Sequence, residues 1–125
     1  MNSKKNAVNW FELAVTDFDR AKHFYETILG TALTEVPVQG CRMAMFPFDM
    51  ANGIGGSITL MAEMKPGPGG TLIYLNVEGE LDVVISRVAA AGGAVERPRF
   101  AIGEHGFIAI IRDTEGNVVG LHSMT

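Results

Sequence analysis

The chain repeats its own hydrophobic plan, and that repetition constrains its fold more than any single motif. Residues 9–15 (Asn-Trp-Phe-Glu-Leu-Ala-Val) are an apolar run with one charged insert, followed by an amphipathic stretch that Gly30 closes. Residues 71–77 (Thr-Leu-Ile-Tyr-Leu-Asn-Val) repeat the plan, and Gly92-Gly93 close the amphipathic stretch behind them. The offset is 62 residues between the runs (Trp10 to Leu72) and 63 between the closing glycines (Gly30 to Gly93). Further on, Met43-Ala-Met-Phe46 matches Ile108-Ala-Ile-Ile111 at an offset of 65 (Met43 to Ile108). Solenoid repeats have periods of roughly 20–50 residues, so copies this large are modules. Two pseudo-symmetric modules are expected to frame one shared cavity.

Composition narrows the class. A chain of 125 residues, 47% hydrophobic and 19% charged, is one globular domain large enough to bury a core. The net charge is −4 and the basic residues are scattered, with only Lys4-Lys5 adjacent, which gives no electrostatic footprint for nucleic acid. The single Cys41 rules out an intrachain disulfide and suits a reducing compartment. No stretch approaches the roughly 18 apolar residues of a membrane span, and no apolar segment follows Lys4-Lys5 as in a signal peptide. The expectation is a cytoplasmic protein without nucleic-acid or membrane partners.

Trp10 to Val15 alternates as a strand, with Phe11, Leu13 and Val15 on one face and Trp10, Glu12 and Ala14 on the other. Thr16 or Asp17 can cap the helix that follows. In it Phe18, Ala21, Phe24, Tyr25, Ile28 and Leu29 form one apolar stripe, and Gly30 stops it. Strands are expected near 33–38, 41–46 and 55–61. Lys65-Pro-Gly-Pro-Gly-Gly70 reads as the linker between modules of about 6–64 and 70–125. The second module then reads as a strand at 71–77, a helix burying Leu81, Val84, Ile85, Val88 and Ala91, and strands near 94–98, 106–112 and 117–123. Asp113-Thr-Glu-Gly116 turns between the last two. The predicted fold is α+β: two tandem βαβββ modules in a curved mixed sheet with a cup, helices on the outer face.

This plan resembles the vicinal oxygen chelate superfamily of glyoxalase I, bleomycin-resistance proteins and extradiol dioxygenases. The match is carried by Trp10-Phe-Glu-Leu-Ala-Val-Thr-Asp-Phe-Asp-Arg-Ala-Lys-His-Phe-Tyr25 with Leu29-Gly30, and by Gly106-Phe-Ile-Ala-Ile-Ile-Arg-Asp-Thr-Glu-Gly-Asn-Val-Val-Gly-Leu-His-Ser123. It looks most like the branch related to lactoylglutathione lyase. The resemblance implies a metal-ligand set of a His or Gln on the first strand and a Glu on the fourth strand of each module. Those positions here hold Trp10, Leu72, Gly56 and Gly120, the two glycines pairing at an offset of 64, with Gly55 or Ser57 in place of Gly56 if the alignment slips by one residue. None offers the imidazole or carboxylate that a divalent ion wants, so no metal or other cofactor is expected.

Strand alternation places Glu12 with Trp10 and His122 with Gly120, so both can point into the cup. A desolvated carboxylate and imidazole there can exchange protons near neutrality. The expected ligand-lining set is Trp10, Gly56, Leu72, Tyr74, Asn76 and Gly120, with Glu12 and His122 as candidate catalytic residues. His105, in the turn Gly103-Glu-His-Gly106, is a further candidate contact. The leading reading is a metal-independent binder of a small molecule, working as a symmetric homodimer. Two alternatives stay open: a glyoxalase-like lyase or isomerase using a displaced metal or the Glu12/His122 pair, and a protein-interaction subunit.

Overall fold

The computed structural model describes residues 6–125, so Lys4-Lys5 lie outside the described residues. The first module runs β1 (Trp10–Ala14), α1 (Phe18–Leu29), β2 (Thr34–Val38), β3 (Cys41–Met45) and β4 (Gly55–Leu60). The second runs β5 (Tyr74–Asn76), α2 (Leu81–Val88), β6 (Ala94–Ala101), β7 (Phe107–Arg112) and β8 (Val118–Ser123). The mixed sheet comes in two four-stranded pieces, ordered β1-β4-β3-β2 and β5-β8-β7-β6. In each, the first strand pairs parallel to the fourth and the remaining pairs are antiparallel. The structure is therefore the α+β duplication that the repeat predicts. No helix among the described residues is long and apolar enough to cross a membrane.

Local chemistry explains the helix ends. Asp17 is extended, and its carboxylate accepts the Arg20 N–H at 3.1 Å, satisfying a donor that the first turn of α1 leaves free. At the other end Gly30 adopts φ +68°, a left-handed conformation that costs a residue with a Cβ dearly. Between them Phe18, Ala21, Phe24, Tyr25 and Ile28 are buried at helical spacing. Leu29 is only partly buried.

The helix-bearing faces of the two sheets share a single core. Leu13, Val15, Phe24, Ile28 and Ile58 of the first module join Leu75, Val84, Val88, Ile111 and Leu121 of the second in one cluster, and α1 touches α2. Each such side chain stabilises the fold by about 1.5–3 kcal/mol through burial.

A polar clamp sets how the modules meet. The β7–β8 turn reaches across to the start of α1. There the Glu115 Oε1 accepts the N–H groups of Thr16 and Asp17 at 2.8 Å each, and Oε2 accepts Arg20 Nε at 2.8 Å. Asp113 sits beneath, buried. Its Oδ2 accepts the Tyr25 hydroxyl at 2.7 Å and Asn117 Nδ2 at 3.0 Å, while Oδ1 accepts the Glu115 and Asn117 N–H groups at 2.9 Å. Asn117 Nδ2 also donates to the Ala14 carbonyl at 2.8 Å, and its Oδ1 accepts the Gly67 N–H at 3.0 Å. Burial, then the Asp113 charge, push the Tyr25 hydroxyl well above its ordinary pKa. Every polar group at this crossing has a partner, which is what a buried network needs to stabilise anything.

Two strands depart from the sequence reading. The strand expected at 71–77 shortens to Tyr74–Asn76, although β8 begins two residues before Gly120, the partner of Tyr74, and the Gly120 N–H still reaches the Ile73 carbonyl at 2.8 Å. The strand expected at 94–98 runs on to Ala101 through two register shifts between Val95 and Phe100, the second of which contains Pro98.

Burial alone would raise the Glu115 pKa. The hydrogen bonds from Arg20, Asp17, Thr16 and Thr114 outweigh it and hold the carboxyl at about 2 against an ordinary 4.5. A folded-state value below the unfolded one means stability that is complete above pH 4.5 and drains away as pH falls toward 2. With solvent screening on the half-exposed Arg20 side, the contribution is about 2 kcal/mol. The Glu115→Gln variant should melt several degrees lower at neutral pH and lose less stability than the parent between pH 4.5 and 2. Equal acid sensitivity in parent and variant melts would contradict the clamp.

Candidate functional site

The helix-free faces of the two sheets are where the sequence places a cup. Register decides which residues reach them. Phe11 and Leu13 pack on the helix side, so Trp10, Glu12 and Ala14 lie on the opposite face. Along β4, Gly55 pairs with Trp10, Gly56 with Phe11 and Ser57 with Glu12. Gly56 is thus on the helix-bearing face, where a Cβ would run into the Phe11 ring. The residue beside Glu12 is Ser57. In the second module Leu75 pairs with Leu121 and Tyr74 with Gly120, so Gly120 is on the same face as Tyr74, Asn76 and His122.

The pairing of Gly56 with Gly120 is accordingly corrected by one residue. Leu13 pairs with Ile58 as Leu75 pairs with Leu121, so Ser57 is the structural counterpart of Gly120 and Gly56 that of Val119. A slip of one residue turns a side chain to the other face of a sheet. The four positions that the resemblance assigns to metal ligands are then Trp10, Ser57, Leu72 and Gly120. They supply a single hydroxyl, and that one is buried and shares a 2.9 Å hydrogen bond with Thr59 Oγ1. This donor set does not fit a divalent ion. Among the described residues no three His, Cys, Asp or Glu side chains gather as an alternative.

Glu12 and His122 are not brought together within the chain. Glu12 is exposed and lines a shallow cavity with Lys65, Gly67, Asn117 and Val118. His122 lies four residues beyond Val118 on β8, about 13 Å of strand, and its Nε2 is 2.7 Å from the His105 carbonyl. Trp10 is partly buried and stacks edge-on against Phe48, ring centroids 5.7 Å apart. Leu72 is 41% exposed and outside any strand.

Gly56, Tyr74 and Asn76 do line one space together. It is a cavity of about 480 Å³ where the starts of β1 and β4 face β5 and the start of α2. Its walls include Phe11, Phe46, Phe48 and Ile54 from the first module and Tyr74, Val77 and Val84 from the second. The aromatic pair Phe11 and Phe46 stand 5.7 Å apart there. The Phe48 ring packs directly over Gly55, where a Cβ would strike it. The sequence reading missed Phe46, Phe48 and Ile54, because they come from the β3–β4 connection and meet the second module only in the folded chain. The run Phe46-Pro-Phe48 was the available signal.

Comparison with known proteins agrees with the fold. The family model described as Glyoxalase/Bleomycin resistance protein/Dioxygenase superfamily matches residues 7–121, and the chain belongs to that superfamily. The "Putative glyoxylase CFP32" of Mycobacterium tuberculosis (strain CDC 1551 / Oshkosh) is 33% identical over 123 residues, 94% of this chain and 46% of the relative. The chain thus spans about half the length of the curated relatives it matches. Among solved structures, a glyoxylase/bleomycin resistance protein/dioxygenase domain from Frankia sp. EAN1pec superposes with a TM-score of 0.68 at 22% identity, over 94% of this chain and 97% of that one. The fosfomycin resistance protein FosX from Listeria monocytogenes superposes at 0.66 with 17% identity, over 98% of this chain and 94% of that one. At these identities the structures share the fold.

Gly120 holds the second-module wall in place. A Cβ there would collide with the Tyr74 ring. Gly120→Ala should destabilise the chain by about 1–3 kcal/mol. Adding Tyr74→Ala should recover most of that loss in a denaturant double-mutant cycle. Strict additivity of the two substitutions would show that Tyr74 does not rest on Gly120.

Proposed function

We propose that this superfamily member is a small-molecule-binding protein that works without a metal, and that its ligand occupies the cavity between the modules. The observation that carries the reading is the cavity itself. Its size falls in the range of ligand sites, roughly 300–1,000 Å³, and most of its lining side chains are aromatic or aliphatic, with exposed backbone, Thr31, Asn76 and Glu80 supplying polar surface. The unfit donor set at Trp10, Ser57, Leu72 and Gly120 supports the metal-free part of the reading. Its structural neighbours include proteins named for fosfomycin resistance and for bleomycin resistance, and sequestration of an antibiotic or a metabolite by this chain is one role of the kind proposed.

The same reading includes a symmetric homodimer in the cytoplasm. Leu72 and Tyr74 expose 41% and 46% of their surfaces close to one another in the chain, and a second copy laid over that face would cover them.

Trp10 is the only tryptophan and stacks on Phe48, which lines the cavity, so it reports on occupancy. Titrating chelator-treated protein with a neutral naphthalene derivative should give a saturable change in Trp10 emission. A Gly55→Val substitution, which must push the Phe48 ring from its place in the cavity wall, should weaken it at least tenfold, about 1.4 kcal/mol. A linear, non-saturating response, or one that appears only after metal is added, would contradict the proposal.

A further inference from the structure

The cavity has one charged lining residue among the described residues, and it is an acid. Glu80 is the N-cap of α2, yet its side chain makes no capping hydrogen bond. No salt bridge or side-chain hydrogen bond within the described residues engages its carboxylate either. The residues just before it are engaged elsewhere: Ser123 Oγ accepts the Gly79 N–H at 2.9 Å, and Glu78 Oε1 accepts the Met124 N–H at 2.7 Å. Glu80 is left free at the mouth of a space walled by Phe11, Phe46, Phe48 and Tyr74. Aromatic faces carry negative quadrupole charge and attract cations, and a carboxylate adds a charge-assisted acceptor. Among the described residues no lysine, arginine or histidine lines the cavity to attract an anion.

We propose that the ligand class is an organic cation: an amine carried on a flat apolar body, the body between the phenylalanines and the ammonium group at Glu80. This rests on the cavity being the ligand site. Asn76 stands at the same space, but its Oδ1 accepts the Glu78 N–H at 3.0 Å, so the ammonium finds its open acceptor in Glu80. Because Glu80 is solvent-exposed, the charge preference is modest and falls with added salt.

The test uses the full chain and three probes of one shape: naphthylmethylamine, naphthalenemethanol and naphthoate, titrated by calorimetry at low and high salt. The amine should bind about fivefold more tightly than the alcohol at low salt, and naphthoate most weakly. Glu80→Gln, at an exposed side chain that makes no hydrogen bond, should bring the amine down to the alcohol's affinity. Equal binding of amine and alcohol, a preference that survives Glu80→Gln, or tightest binding of naphthoate would each overturn the cation assignment while leaving the cavity as a site. Failure of all three probes to bind would instead overturn the proposed function beneath it.

Discussion

The carboxylates of Asp113 and Glu115 hold this molecule in its shape. A duplicated βαβββ chain has two apolar helix-bearing faces, and burying them against each other is favourable in many orientations, since the hydrophobic effect has no direction. The β7–β8 turn supplies the direction. Glu115 takes the first N–H groups of the β1–α1 junction, and Asp113 takes the Tyr25 hydroxyl from inside the core. Asn117 completes the contact at the Ala14 carbonyl. An orphaned partner at such a buried crossing costs about 1–3 kcal/mol, so sliding or rotation of the modules is disfavoured.

The cavity is the other side of that asymmetry. In the first module the equivalent connection, residues 46–54, is longer than the turn at 113–117 and carries Pro47. It does not plug onto the start of α2 as the β7–β8 turn plugs onto the start of α1. Phe46 and Phe48 instead stand at the edge of an open space, and the N-terminus of α2 is left without a capping side chain. One clamp fixes the modules and the missing second clamp leaves room between them. A pseudo-symmetric chain thus gains an aromatic-walled cavity at one end of its inter-module seam.

Much of the fold is legible in the sequence. Alternation at Trp10–Val15, the apolar stripe of α1 and its glycine stop follow from periodicity and backbone sterics, and each forms as read. The site was less legible for physical reasons. Gly56 and Gly120 look equivalent as letters, but only strand register shows that Ser57 stands opposite Glu12, and register depends on partners distant in the chain. Glu115 reads as a turn residue because its Thr16, Asp17 and Arg20 partners lie nearly a hundred residues away. Phe46 and Phe48 read as core or loop until the second module faces them.

A thermal-melt titration of chelator-treated protein with Ni²⁺, Zn²⁺, Mn²⁺, Fe²⁺ and Mg²⁺ tests the metal-free account most directly. A ligand of the folded state at a hundredfold over its dissociation constant stabilises by about 2.7 kcal/mol, a shift of several degrees in a domain of this size. With Trp10, Ser57, Leu72 and Gly120 at the ligand positions, no ion should give a saturable shift. A saturable rise with any one of them would contradict the account and return the chain to the metal-dependent members of its superfamily.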